Sequence, residues 1–73
     1  MRISYDPEGD VLYIELRAAE ADDSVDLEPG VTADLDADGH VIGIEILDAR
    51  ERLGDALKQV SIDMLPLAAT AEA

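Results

Sequence analysis

The sequence predicts a small α+β domain that is mostly β: an antiparallel β-meander of about five strands, followed by one short α-helix and a C-terminal segment. Three observations lead there. Apolar residues recur at every second position through the first two thirds of the chain, turn residues punctuate them at short intervals, and the period changes after Asp48. A chain of 73 residues holds one small core, so residues 1–54 are expected as a single domain, with 55–73 as a C-terminal segment.

Taken in order, Arg2 to Tyr5 is the first expected strand. Asp6-Pro7-Glu8-Gly9 then offers Asp at the first turn position, Pro with its φ already set, and Gly at the fourth. Val11 to Arg17 carries Leu12, Ile14 and Leu16 on one face and Val11, Tyr13, Glu15 and Arg17 on the other. Ile3 finds an apolar partner in either Leu12 or Tyr13, which leaves the first hairpin's register open. Ala18 to Asp22 reads as a loose connection, Ser24 to Leu27 as a short acidic strand, and Glu28-Pro29-Gly30 as a turn. Val31 to Asp36 and Val41 to Leu47 complete the sheet.

Their hairpin can be tested by arithmetic, because loop length fixes which residues face each other. A two-residue loop at Asp38-Gly39 pairs Leu35 with Ile42, Ala33 with Ile44 and Val31 with Ile46, placing six apolar side chains on one face. A three-residue loop sets Val31 against Glu45, and is rejected on that ground. After the sheet, Asp48 and Glu51 suggest a capping box, Arg50 and Arg52 suit a helix C-terminus, and Gly54 a stop. Asp55 to Val60 suggests a second short helix, and Ala68 to Ala73 a frayed tail.

Charge narrows the function classes. Eighteen Asp plus Glu against five Lys plus Arg give a formal net charge of -13, which speaks against nucleic acid and against an anionic membrane surface as partners. No run approaches the roughly 20 apolar residues of a membrane span, and the strand-like N-terminus does not read as a targeting segment, so a cytoplasmic location is expected. The chain has no Cys, which removes disulfides, thiolate metal sites and Cys nucleophiles together. At 48% hydrophobic residues it is too apolar for an acidic disordered tail.

The most specific string is Asp34-Leu35-Asp36-Ala37-Asp38-Gly39 with Glu45 beyond it, which matches the text of a calcium-binding loop. Such a loop sits between helices, whereas Val31-Thr32-Ala33 precedes this one and Val41-Ile42-Gly43-Ile44 follows it. A hairpin with a solvated acidic face accounts for the same residues. Calcium or magnesium held by Asp34, Asp36, Asp38 and Glu45 is carried as the alternative, and no other cofactor is expected. No catalytic constellation is recognised: His40 flanks a turn, where exposure is the default, and no Ser or Cys lies in a nucleophile motif. Tyr5 and Tyr13 are the only rings, and are expected in the core or at an interface.

The string Tyr5-Asp6-Pro7-Glu8-Gly9-Asp10-Val11-Leu12-Tyr13-Ile14 resembles the opening signature of a small prokaryotic family catalogued as domain of unknown function 2283. Gly30-Val31 with Asp34, Asp36 and Asp38-Gly39, then Val41 through Ala49, resembles its second signature. The resemblance spans about residues 1 to 50. It implies a small β-meander with a short helix and no assigned activity; some members are suspected of partnering toxin-like proteins.

These readings favour a non-enzymatic protein-interaction module. A chain this short buries only about 60% of its unfolded surface, so association helps, and a homodimer is expected. Val11, Tyr13, Val41 and Leu47 are the candidate interaction surface, to be covered by a second copy or by the C-terminal segment, either in its own chain or exchanged between copies. An antitoxin-like or inhibitor-like partner of a basic protein is the second reading, and the divalent-cation protein the third.

Overall fold

The structure, a computed structural model, describes residues 1–66; the tail expected from Ala68 lies outside them. Five strands form one antiparallel sheet: β1 (Arg2–Asp6), β2 (Val11–Glu15), β3 (Asp23–Glu28), β4 (Val31–Leu35) and β5 (Val41–Ile46). A short helix α1 (Ala49–Leu53) follows, continued by a 3-10 turn over Gly54–Lys58 where a second short helix was expected. The fold class read from the sequence is therefore the observed one.

The strand order is β1-β2-β5-β4-β3, which corrects the meander at one connection. Consecutive strands pair at β1–β2, β3–β4 and β4–β5, but β2 pairs with β5. Strands β2 to β5 thus form a Greek key. Residues 16–22 make the crossing along one end of the sheet. Leu16 and Arg17 both donate their backbone N–H to the Ile42 carbonyl, and Asp22 donates to that of Leu35. Their backbone is satisfied by crossing β5 and β4, which is why β2 ends at Glu15 instead of Arg17.

Two hairpins differ from expectation at their turns. Ile3 pairs with Ile14, and Tyr5 with Leu12, because Asp6 faces Val11 across a four-residue loop whose last residue, Asp10, is left-handed at φ 57°. In the β4–β5 hairpin the rejected three-residue loop is present. Asp36 N–H donates to the His40 carbonyl and Gly39 N–H to the Asp36 carbonyl, with Gly39 at φ 83°. Leu35 accordingly faces Val41, not Ile42. A β-bulge at Ile42 then absorbs the extra residue, so Ala33 faces Ile44 and Val31 faces Ile46 as the alternation requires.

These registers sort the sheet into two faces. Ile3, Tyr5, Leu12, Ile14, Val25, Val31, Ala33, Ile44 and Ile46 share one; Ser4, Val11, Tyr13, Glu15, Thr32, Asp34, Gly43 and Glu45 share the other. On the apolar face only Leu12 and Ala33 are buried, while Ile3, Ile14, Val31, Ile44 and Ile46 remain half-buried and Val25 is exposed. The helix does not close it, being fastened to the sheet's end.

Candidate functional site

That end is built around Asp10. Its carbonyl accepts the Ala49 N–H at 3.1 Å, and its Oδ1 accepts the Tyr5 hydroxyl at 2.8 Å and the Arg50 N–H at 3.0 Å. Partial burial pushes the Asp10 carboxyl up, but the bonds from Tyr5 and Arg50 and the Arg50 charge outweigh it and hold the group below its ordinary range. The capping box expected at Asp48 is absent: Asp48 is left-handed at φ 52° and makes no side-chain cap. The first helical N–H groups are instead satisfied by the β1–β2 turn. Arg52 adds a second tie, donating to Glu28 at 3.0 Å and to the Pro29 carbonyl across Gly30. Gly30 is required there, because its φ is +87° and a Cβ would overlap the Arg52 guanidinium.

At the opposite end the acidic string folds as a turn. Asp36 Oδ1 accepts the N–H groups of Asp38 and His40, both at 2.9 Å, and Asp36 Oδ2 accepts from the Arg17 guanidinium of the crossing segment. These bonds, the His40 N–H foremost, hold the Asp36 carboxyl below its ordinary range. Asp36, Asp38 and His40 each offer a ligand atom within 4.8 Å of the others. Asp34 and Glu45 do not belong to that group: Asp34 accepts the Tyr13 hydroxyl, and Glu45 lies between Tyr13 and Thr32. Both oxygens of Asp36 are used in holding the turn and the crossing segment, a local reason for this residue type at this position.

On the polar face Tyr13 lies across Gly43 and donates its hydroxyl to Asp34 Oδ2 at 2.8 Å, linking β2 to β4 over the top of β5. A Cβ at position 43 would overlap the hydroxyl, so the glycine is where the ring fits. The carboxylate beside it pushes the Tyr13 phenol up to about 12, with partial burial adding to the effect.

The four residues expected as an interaction surface lie on β2, on β5 and just beyond β5. Val11 and Tyr13 share the polar face, where both are half-buried. Val41 is displaced by the bulge to stand opposite Leu35, and Leu47 lies just beyond β5, where its N–H donates to the Gly30 carbonyl. Val41 and Leu47 are exposed, whereas Ile3, Ile14, Ile44 and Ile46 on the isoleucine face are half-buried. The segment after Lys58 is exposed as well, with Val60 59%, Ile62 64%, Met64 87% and Leu65 84% exposed. Among the described residues there is no enclosed cavity. Sequence reasoning missed Asp10, whose left-handed backbone carries no glycine signal, and Gly43 as a seat for Tyr13. A glycine inside a Val/Ile run was the available clue.

Comparison with known families matches residues 2–50, the whole sheet and the start of α1, to the model described as Protein of unknown function (DUF2283). The chain belongs to this DUF2283 family. The match covers two thirds of the chain and stops before Gly54, leaving the 3-10 turn and the exposed apolar segment outside the shared DUF2283 core. No curated protein and no solved structure matches the chain.

Proposed function

We propose that this chain is a cytoplasmic, non-enzymatic protein-interaction module that works as a homodimer. The observation that carries the reading is the isoleucine face: β1, β2 and β5 present Ile3, Ile14, Ile44 and Ile46 half-buried on one side, with the helix fixed at the sheet's end. A surface of this kind marks an interaction site in a soluble protein. A two-fold homodimer would use this same face on both copies. Much of the acidic excess lies on the opposite face and in the turns, at Asp34, Glu45, Asp36 and Asp38, so two copies can meet without stacking those carboxylates. The absence of Cys fits a reducing compartment. Among the described residues no helix is long and apolar enough to cross a membrane.

Sedimentation equilibrium over a wide concentration range tests this. The dimer appears at twice 7.8 kDa, and a 7.8 kDa species at the highest concentrations would overturn it. The net charge of -13 favours a second reading, a basic protein steered to the polar face. Co-purification from the native host at low salt separates the two: a stoichiometric basic partner supports the second reading, and recovery of the chain alone counts against it.

A further inference from the structure

The segment after Lys58 combines three properties. Its first residue, Gln59, is in an extended conformation, at φ -149° and ψ 129°. It alternates, with Val60, Ile62 and Met64 apolar and Ser61 and Asp63 polar. All of its described residues are exposed. That is the pattern of a strand with one apolar side and no sheet to join.

The sheet has two edges that differ in their readiness to accept it. β3 carries Asp23, Asp26 and Glu28 with a bulge between Asp26 and Glu28, features that discourage pairing. β1 is regular over Arg2–Asp6 and pairs through all five residues with β2 on its other side. Its outer edge is free among the described residues.

Register arithmetic favours β1. An antiparallel alignment that sets Ile62 opposite Ile3 also sets Val60 opposite Tyr5 and Met64 opposite Met1, all on the isoleucine face. The same alignment sets Ser61 opposite Ser4 and Asp63 opposite Arg2 on the polar face, where opposite charges across strands are favourable. Every position agrees in character with its partner.

We propose that the segment Gln59–Leu65 of one copy adds as a sixth strand to the β1 edge of a second copy, in the register Ile62 opposite Ile3, so that two copies exchange arms. The inference rests on the homodimer reading above and names its contact. Area supports a second copy as the occupant. The isoleucine face measures roughly 24 by 17 Å, a plan area of about 400 Å² at ordinary strand and residue spacings. A stable interface buries about 800 Å² per partner. Face-to-face contact alone supplies about half of that, and two exchanged arms add both backbone pairing and four exposed apolar side chains each. Exchange of an identical element between copies is a low-cost route to a dimer.

The absence of Cys makes a cross-link test clean. The full chain carrying Arg2→Cys and Asp63→Cys is oxidised at a concentration where the unsubstituted chain is dimeric, then analysed on a non-reducing gel with peptide mass spectrometry. A covalent dimer linked between positions 2 and 63 is expected. A 2–63 link within a monomer overturns the exchange, since the arm then closes on its own β1, and no link overturns the pairing. Ile62→Asp, at a site exposed in the monomer, is expected to keep the circular dichroism spectrum and weaken the dimer at least tenfold; an unchanged dimer also overturns the arm's role. If the unsubstituted chain sediments as a dimer without either result, the homodimer reading stands and only the arm fails. If it is a monomer throughout, both fall.

Discussion

The two faces of the sheet use similar strands to opposite ends. On the polar face Tyr13 spans Gly43 and bonds Asp34, so β2, β5 and β4 are tied side chain to side chain within one copy. On the other face Ile14, Ile44 and Ile46 stand side by side and half-buried, with none of the described residues fully covering them. The difference shows that a single-layer sheet can complete one face with a ring, a glycine and a carboxylate, while its aliphatic face is left half-buried. The helix supplies none, because Asp10 and Arg52 tether it to the turns at one end.

The largest expected effect comes from placing a charge on the open face. Ile44→Asp is expected to weaken the dimer at least 100-fold, about 3 kcal/mol, in a sedimentation series. Glu45→Gln, the next residue on the opposite face, is expected to leave association unchanged. Equal losses from both would erase the distinction between faces.

Within one copy, the strongest change expected on the polar face is Gly43→Ala. The new Cβ displaces the Tyr13 ring and costs about 1–3 kcal/mol in urea unfolding, as overpacking does. Tyr13→Phe keeps the ring over the glycine and loses one hydrogen bond, about 1 kcal/mol. Gly43→Ala combined with Tyr13→Ala should cost less than the sum of the two single changes, because the clash vanishes with the ring.

The pair also fixes a pH dependence. With the Tyr13 phenol raised to about 12, the folded state holds that proton more tightly than the unfolded chain. Its contribution to stability is therefore complete below the ordinary phenol range near pH 10 and lost as pH rises through about 12. Absorbance titration should show one tyrosine near that value, and Asp34→Asn should bring it down. Asp10 and Asp36 run the other way. Their lowered carboxyls stabilise the fold above the ordinary carboxylate range and stop doing so as pH falls through their folded values.

The smallest expected effect is that of salt. Two copies of charge -13 repel, so raising ionic strength from low to physiological should tighten the dimer a few-fold. A basic partner bound by charge would weaken instead.

Much of this was legible in the residues. Alternation along Val31–Leu35 and Val41–Ile46 dictates which side chains face each other deep in the hairpin, although the loop is one residue longer than Asp38-Gly39 suggests. The buried aliphatic pattern outweighed local turn preference, and the bulge at Ile42 reconciled them. The crossing of residues 16–22 was not legible, because backbone donation to the Ile42 and Leu35 carbonyls leaves no trace in side-chain identity, and the Arg17–Asp36 pair joins residues far apart in the sequence. Asp10 was hidden for a similar reason, since a left-handed aspartate looks like any turn residue. The acidic string was visible as text, yet its meaning depended on what its carboxylates accept. Asp34 and Asp36 are occupied by Tyr13, Arg17 and turn N–H groups.

What lies over the isoleucine face decides whether two copies meet there. Isotope-filtered NMR on a mixture of carbon-13-labelled and unlabelled copies reads that contact directly, since only cross-peaks between copies survive the filter. The account predicts intermolecular cross-peaks to the methyl groups of Ile3, Ile14, Ile44 and Ile46 and none to Thr32 on the opposite face. Intermolecular peaks confined to Thr32 and Val11, or none at all at a concentration where the chain is dimeric, would contradict it.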